Sequence, residues 1–302
     1  MPLKTAGGVH SIIAGTNPLP QEIAVMLKDI LVHVDHAEPS NAPLEAAIHL
    51  AESFNAHLGG IHVTSLYHYV ATHDVWVAGL WEKCKDDLRA VAERTQALFT
   101  NASARAGVLG EWHHVDGDPA TTIIDYGRVV DLIVLGQPTE NAPPITREIA
   151  DKIPLAAGRP VLFVPGAWSG SLGKSVLVAW NNSREAARAA NDALALLSGA
   201  EQVIVMAVDP PADDVAREDA DNEIPSADIA LHLARHGVEA EAARDTAAPQ
   251  FVGERLLEQA ERQRADLIVM GAYGHSRLKE IMLGGATRHM LMHAKVPVLM
   301  SH

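Results

Sequence analysis

The feature that most restricts the fold of this chain is an internal duplication. Three segments of the first half return in the second half, in the same order and with similar letters. The repeated pairs are KDILVHVD (28–35) with KSVLVAWN (174–181), DLIVLG (131–136) with DLIVMG (266–271), and RPVLFVPG (159–166) with VPVLMSH (296–302). The offset, roughly 140 residues, is too long for a solenoid repeat and fits a duplicated domain. We therefore predict two domains, 27–166 and 174–302, joined by the Gly/Ser-rich segment GAWSGSLG.

Apolar strand patterns alternate with helical patterns in each half. Strands are predicted near residues 28–35, 58–63, 111–115, 132–135, 161–164, 175–180, 202–208, 238–243, 267–270 and 298–300. Helices are predicted near residues 42–54, 81–104, 119–128, 184–197, 226–236 and 252–264, with a further helical pattern before the last strand. Strands this apolar are buried on both faces, which indicates a parallel sheet covered by helices on both sides. The predicted fold class is α/β, with two tandem doubly wound parallel-sheet domains.

The end of the chain combines glycines with a predicted strand and a predicted helix start. Gly271 and Gly274 follow the strand, where they can take a positive φ and let backbone N–H groups approach a ligand. Gly284, Gly285 and Ala286 place small residues where the last helix begins, and the free N–H groups of a helix start favour an anion. Two glycine elements that converge on one place predict a phosphate site. The alternative is that these glycines only form tight turns.

The spacing Gly-x2-Gly-x9-Gly followed by a small residue, between the strands DLIVMG and VPVLM, resembles the nucleotide-binding motif of the universal stress protein family. The likeness extends over nearly all of residues 27–302, so the chain resembles a tandem member of that family. It implies the adenine nucleotide alpha hydrolase-like fold, with the two domains packed as a pseudo-dimer through their last strands. The family usually has Ser or Thr after the third glycine, whereas this chain has Gly285, with Thr287 shortly after it.

The same resemblance implies which residues form an adenine nucleotide site in the second half. They are Ala179, Trp180, Asn181, Val208, Met270, Gly271, Gly274, Gly284, Gly285, Ala286 and Thr287. Asn181 can donate and accept hydrogen bonds with adenine or ribose, or it can be a turn residue after a strand. Trp180 either packs near a base or fills the core. Arg277, inside the loop, either pairs with phosphate or is solvated.

The two halves differ at this site. The first half carries Pro138, Pro143 and Pro144 where the second half has its glycine loop, and proline removes N–H donors and fixes φ. The aspartate that the family usually places after the first strand is present as Asp35 in the first half and is replaced by Asn181 in the second. We therefore predict one nucleotide site per chain, in the second half.

Composition restricts the remaining function classes. A net charge of −14 argues against binding to nucleic acid or to an anionic membrane surface. No apolar run approaches the roughly 20 residues that cross a bilayer, and the single cysteine, Cys84, excludes an intramolecular disulfide. Residues 1–26 lie outside the repeat, show no secretory pattern and are expected to be a flexible extension.

These observations predict a cytoplasmic stress-response protein that binds ATP or ADP, with or without Mg²⁺, through its second domain. The alternative is an interaction or scaffold protein of the same fold that needs no nucleotide. The sequence contains no Walker A segment and no GxSxG elbow, and Ser183 is interpreted as a helix N-cap. No carboxylate beside the loop suggests a general base or a Mg²⁺ ligand, so any ATP hydrolysis should be slow. No metal site of the protein's own is predicted, because adjacent His113 and His114 point to opposite faces of a strand. A homodimer of tandem chains is left open.

Overall fold

The computed structural model describes residues 26–35, 41–65, 78–209, 226–274 and 285–302. The strands are β1 (Asp29–His33), β2 (His57–Thr64), β3 (Gly110–Asp116), β4 (Leu132–Gly136), β5 (Val161–Val164), β6 (Ser175–Trp180), β7 (Gln202–Asp209), β8 (Ala240–Thr246), β9 (Leu267–Gly271) and β10 (Val298–Ser301). The α-helices are α1 (Ala42–Phe54), α2 (Ala78–Ala106), α3 (Pro119–Gly127), α4 (Pro144–Ala156), α5 (Arg184–Asp192), α6 (Leu194–Leu197), α7 (Ala227–Arg235), α8 (Val252–Arg262) and α9 (Ala286–His293). A short 3₁₀ turn, Pro249–Phe251, leads into α8.

These strands form one sheet in the order β3-β2-β1-β4-β5-β10-β9-β6-β7-β8. Neighbouring strands are parallel within each half, and β5 and β10 pair antiparallel where the halves meet. The paired residues at this seam are Val298 with Phe163, Leu299 with Leu162, and Met300 with Val161. The two halves therefore share a single sheet, and the predicted pseudo-dimer packing through the last strands is confirmed.

Helices cover both faces of the sheet. Buried residues of α1, α2, α5, α6 and α7 form one apolar core with one face of the strands, and those of α3, α4, α8 and α9 form a second core with the other face. Both cores continue across the seam, since Leu162 and Leu299 belong to the first core and Phe163 and Val298 to the second. The doubly wound α/β fold class is confirmed, because successive strand residues point to opposite faces and both faces are apolar.

In each half, the aspartate that begins the repeated DLIV segment holds the start of the first strand. The carboxylate of Asp131 accepts hydrogen bonds from the backbone N–H groups of Lys28 (2.7 Å) and Asp29 (3.1 Å). In the second half, the carboxylate of Asp266 accepts from the backbone N–H of Ser175 (3.1 Å). These bonds hold the start of β1 beside β4 and the start of β6 beside β9. The aspartate of the repeated DLIV segment therefore has a structural role in both halves.

The segment that the prolines indicate as a loop contains a helix, α4. Pro144 is its first residue, where the missing N–H is not needed and the fixed φ suits a helix. Elsewhere the structure differs from the predicted elements mainly at their ends, and the helix predicted over 184–197 is divided into α5 and α6 at Ala193. The helix α4 of the first half therefore begins inside the proline segment.

Some of the predictions concern residues outside the described ranges. These are the N-terminal extension as far as residue 25, Arg277 and Gly284. In the part of the chain that the structure describes, no helix has both the length and the apolar character needed to cross a membrane.

The seam gives a testable prediction about the separate halves. Expressed alone, residues 27–166 or 174–302 should self-associate or precipitate, because each half would expose a fully buried apolar strand, β5 or β10, as an open edge. The outer strands β3 and β8 are partly exposed and polar and should not drive association. Light scattering after size-exclusion chromatography measures the mass. Halves that stay monomeric at high concentration would contradict this account of the seam.

Candidate functional site

A cleft lies at the carboxyl ends of β6, β7 and β9, in the second half of the chain. It lies between the ends of these strands and residues of α5, α8 and α9, and its empty space, including the solvent-filled mouth, is about 580 Å³. Ligands of doubly wound sheets bind beyond the carboxyl ends of the strands. The cleft is therefore in the position where this fold class places a ligand.

Nine of the predicted site residues line this cleft. They are Ala179, Trp180, Asn181, Val208, Met270, Gly271, Gly274, Ala286 and Thr287. Gly285 precedes Ala286 as the N-cap of α9, while Gly284 lies outside the described residues. Five lining residues that the sequence did not indicate are Ser183, Glu185, Met206, Val252 and Leu256.

The inner part of the cleft is apolar and its outer part is polar. Met206, Leu256 and Met270 are buried members of the second core. Asn181 is exposed, and the first turn of α9, from Ala286, supplies backbone N–H groups that have no partner inside the helix. Such a cleft suits a ligand with a flat apolar part and an anionic part.

Gly271 serves close packing, and neither Gly271 nor Gly274 has the positive φ that the sequence suggested. A Cβ at Gly271 would lie 2.6 Å from the backbone nitrogen of Ala186 and 2.8 Å from the Cβ of Glu185, so only glycine lets α5 approach the end of β9. A Cβ at Gly274 would lie 3.1 Å from Oε2 of Glu185. The positive φ of this turn is found at Tyr273, at 55°.

Two hydrogen bonds hold Tyr273 in its left-handed conformation. Its backbone N–H donates to Oγ1 of Thr287 (3.2 Å), and its hydroxyl donates to Oδ1 of Asp151 on α4 (3.0 Å). A non-glycine residue in this region costs roughly 1–2 kcal/mol, and these bonds offset that cost. The turn that contains both glycines is thus attached to α9 and to the first half of the chain. The Thr287 hydroxyl accepts one bond here and keeps its hydrogen as a donor.

Asn181 and Ser183 organise the turn between β6 and α5. Oδ1 of Asn181 accepts from the backbone N–H of Ser183 (3.2 Å) and from its hydroxyl (2.7 Å). The Ser183 Oγ accepts from the backbone N–H of Ala186 (3.1 Å), so the predicted N-cap is confirmed. Asn181 therefore acts as a turn residue through its oxygen.

Trp180 is half-buried, packs against the first core and also lines the cleft. Its position is therefore compatible both with filling the core and with packing near a base.

Glu185 places a buried carboxylate in the cleft, where the sequence indicated none beside the loop. Its side chain is 3 % exposed and pairs through Oε1 with Arg184, whose side chain is 83 % exposed. Burial raises the pKa of the Glu185 carboxyl. Hydrogen bonds from Arg184 and from its own backbone N–H, together with the charges of Arg184 and His302, outweigh that effect and hold the pKa below its usual value. The carboxylate is therefore ionised at neutral pH.

The signal that could have revealed Glu185 is its position on the helix. The buried face of α5 consists of Glu185, Ala186, Ala189 and Ala190. A charged residue on a face otherwise made of alanine is unusual, since Glu is seldom fully buried without a partner. The sequence alone could not show that this face packs on Gly271, because that contact joins residues far apart in the chain.

The first half has a different arrangement at the corresponding strand ends. In the repeat, His33 stands where the second half has Ala179, and the residue is 6 % exposed. Burial lowers the pKa of His33 from 6.5 to about 4, while Asp35 opposes that shift and His62 adds to it. A large buried side chain thus replaces the small residue that lines the cleft of the second half. The absence of a nucleotide site from the first half stays a prediction.

The adjacent histidines of β3 have separate partners. The His113 ring packs on Tyr126, with ring centroids 4.9 Å apart, whereas Nε2 of His114 lies 2.7 Å from Oγ1 of Thr64. The two rings therefore lie on opposite sides of the strand, as alternation requires. Within the described ranges, no group of three or more His, Cys, Asp or Glu side chains could hold a metal ion.

Comparisons with known proteins agree with this architecture. The model of the Universal stress protein family matches residues 26–147 and 173–302. A universal stress protein from Archaeoglobus fulgidus DSM 4304 is similar in structure, with a TM-score of 0.69 and 18% identity over 91% of this chain and 96% of that chain. A putative universal stress protein from Pseudomonas aeruginosa UCBPP-PA14 gives a TM-score of 0.55 and 16% identity over 91% and 93%. At sequence identities this low, the likeness of these two proteins to this chain shows a common fold and nothing further. Curated proteins gave no match.

The glycine contacts predict different outcomes for two substitutions. Gly271→Ala should lower the free energy of unfolding by about 1–3 kcal/mol, because its Cβ overlaps the backbone of α5. Gly274→Ala should change it by less than about 1 kcal/mol, because the nearest atom is the end of the Glu185 side chain. Urea denaturation of both variants measures the difference. Equal losses would show that the close approach at Gly271 is not what fixes α5.

The buried imidazole of His33 predicts a pH dependence of stability. Its pKa is about 4 in the folded chain and 6.5 when unperturbed, so below pH 6.5 the unfolded chain binds the proton more readily. The contribution of His33 is complete above pH 6.5 and is lost as the pH falls toward 4, by about 3 kcal/mol. Urea denaturation across this range should show a smaller pH slope for His33→Ala, while His49→Ala, at an exposed position on α1, serves as the control. Equal slopes for wild type and His33→Ala would refute this assignment.

Proposed function

This chain belongs to the universal stress protein family as a tandem, two-domain member, and on that premise we propose that its second half binds one adenine nucleotide, ATP or ADP. The observation that carries the proposal is the convergence of nine residues, chosen from the sequence, on a single cleft. They come from β6 and the turn after it, β7, β9 and the loop after it, and α9, and the family motif implies them together. We further propose a cytoplasmic role in the response to stress.

The chemistry of the cleft supports a nucleotide with its base inward. Met206, Leu256 and Met270 offer apolar surface for a flat ring, and Trp180 and Val208 lie at the ends of the neighbouring strands. Burying a base against such surface is favourable without any charged partner. The exposed amide nitrogen of Asn181 keeps hydrogen-bond donors that its turn does not use.

Phosphate groups would lie toward the start of α9. The first turn of this helix has backbone N–H groups without a partner inside the helix and the positive end of the helix dipole, both of which favour an anion. The Thr287 hydroxyl supplies a further donor, which is consistent with a hydroxyl displaced from the usual family position at Gly285. An acidic chain with a net charge of −14 depends on such local donors.

Hydrolysis of the nucleotide is expected to be slow. Glu185 is the carboxylate among the described residues that line the cleft, and hydrogen bonds and the charge of Arg184 hold its pKa below the usual value despite burial. A carboxylate of low pKa is a weak general base at neutral pH. We therefore propose a nucleotide-binding protein rather than an efficient ATPase.

One observation favours the alternative of a scaffold that needs no nucleotide. The bonds from Tyr273 to Thr287 and Asp151 hold the glycine turn in place through contacts within the protein. A structural loop would have the same bonds. Binding measurements on the full chain separate the two functions.

We predict that isothermal titration calorimetry with ATP gives one site per full chain. Gly274→Val should weaken ATP binding at least tenfold, because its side chain would enter the cleft beside Glu185. Gly199→Val is the matched control, since Gly199 is exposed, does not line the cleft and has no close neighbour beyond the carbonyl of Leu196 at 3.9 Å. ATP at a hundredfold excess over its Kd should stabilise the chain by about 2.7 kcal/mol.

Two results would contradict the proposal. Two ATP molecules per chain, or normal binding by Gly274→Val, would show that the site is assigned to the wrong place. A full chain that neither binds millimolar ATP nor gains thermal stability from it would favour the scaffold function.

A further inference from the structure

We propose that Asp151, on α4 of the first half, is a positioning residue for the cleft of the second half. Through Tyr273 it holds the glycine turn, residues 271–274, in the shape that the anionic part of a ligand needs. The first half thereby sets how tightly the second half binds phosphate groups. This role rests on the proposed function and adds control of that site by the other half of the chain.

The glycine turn lies between the cleft and the start of α9. Gly271 and Gly274, its first and last residues, line the cleft. The backbone N–H of Tyr273 donates to Oγ1 of Thr287 (3.2 Å), in the first turn of α9. A shift of the turn therefore moves a wall of the cleft and also its bond to the helix start, where an anion is favoured.

Tyr273 is an unusual residue for this turn. Its φ is 55°, in the left-handed region that glycine adopts freely and that a bulky residue adopts only when its surroundings hold it there. A glycine would give the same backbone shape with less strain. The tyrosine provides what a glycine lacks, which is a side chain long enough to leave the second half.

The hydroxyl of Tyr273 reaches the first half of the chain. It donates to Oδ1 of Asp151 (3.0 Å), a residue 122 positions away in the sequence. Asp151 lies on α4, which contacts β10, and Ile153 of the same helix is buried in one core with Met300 of β10. The acceptor for the turn therefore belongs to a helix that is itself packed against the second half.

Loss of this hydrogen bond should reduce the share of chains whose turn has the binding shape. A bond to an ionised acceptor is stronger than one between neutral groups, and the exposure of Asp151 to water weakens it. The apparent affinity falls in proportion to the share of chains that can bind. From the net strength of one hydrogen bond, we expect ATP affinity to fall about three- to tenfold.

Electrostatic repulsion alone predicts the opposite sign. ATP is an anion and the chain has a net charge of −14, so removal of the Asp151 charge would strengthen ATP binding. Positioning predicts instead that Asp151→Ala weakens it. Asp151→Asn also removes the charge but keeps an oxygen acceptor at the same place, so it should restore binding.

A merely structural contact between the halves makes a third prediction. Its loss would lower the stability of the chain, while ATP and adenosine would bind as before. Adenosine has no phosphate and suits the apolar inner part of the cleft, formed by Met206, Leu256 and Met270. The ratio of ATP affinity to adenosine affinity therefore reports on the glycine turn, and thermal denaturation reports on stability separately.

The first experiment measures ATP and adenosine binding to the full chain by calorimetry. Asp151→Ala and Tyr273→Phe should each weaken ATP binding about three- to tenfold, and adenosine binding by less than about twofold. The double variant should bind ATP no more weakly than either single variant, because both changes remove the same bond. Asp151→Asn should bind ATP within about twofold of wild type.

Asp125→Ala is the matched control. Asp125 is an exposed aspartate on α3 of the first half, pairs with Arg128 (2.8 Å) and does not line the cleft. Its replacement removes the same charge and the same number of atoms as Asp151→Ala, without changing a bond to the glycine turn. This variant should bind ATP and adenosine as the wild type does.

A second experiment tests the coupling from the other side and begins with the wild-type chain. Because linkage between binding equilibria is reciprocal, ATP in the second half should stabilise the bond to Asp151 and with it α4. We expect ATP to slow amide hydrogen exchange in α4 more than in α1, which belongs to the other core and reports only the general stabilisation by a ligand. In Tyr273→Phe this difference should disappear.

The outcomes separate the positioning role from the function on which it rests. Unchanged or stronger ATP binding by Asp151→Ala, or an equal loss in Asp151→Asn, would overturn the role of Asp151 and leave nucleotide binding in place. Equal slowing of exchange in α4 and α1 would overturn it as well. If the wild-type chain binds neither ATP nor adenosine, the proposed function fails and the positioning role fails with it.

Discussion

The antiparallel pairing of β5 with β10 is the contact on which the rest of the structure depends. It joins two parallel half-sheets into one sheet, and both apolar cores run across it without interruption. An apolar strand left at the edge of a sheet is a site for association with other chains. The duplication brings both such strands into one molecule, where they cover each other. The half-exposed polar strands β3 and β8 are left at the outer ends.

Near the same seam, hydrogen bonds connect the two unequal halves. Asp151, on α4 of the first half, accepts a hydrogen bond from Tyr273 in the turn of the second half. A second contact crosses the seam where Arg188 donates to the carbonyl of Gly158 (2.9 Å). The first half therefore supports the cleft of the second half through packing and hydrogen bonds. A change in α4 can affect the glycine turn without touching the cleft.

Close packing between α5 and β9 explains how a charge came to lie inside the cleft. Alanines on the buried face of α5 and the missing side chain of Gly271 bring the helix against the strand end. Glu185 lies on that face, so the same approach buries its carboxylate. A buried ionised group is tolerated only with hydrogen bonds and an opposite charge, which its own backbone and Arg184 supply. The missing side chain of Gly271 thus allows the approach that buries the Glu185 carboxylate.

The sequence by itself determined the duplication, the α/β class, the approximate positions of the ten described strands and most of the described residues that line the cleft, because these depend on local patterns and on a motif with fixed spacing. It also indicated Ser183 as an N-cap, since capping involves neighbours within one turn. Only the tertiary structure decided that Tyr273, and neither glycine, takes the positive φ, and that Glu185 lies beside Gly274. These facts depend on contacts between distant residues, such as Tyr273 with Asp151. Local spacing carries no information on how closely two elements pack. The close approach of α5 to the end of β9 is what buries the Glu185 carboxylate in the cleft.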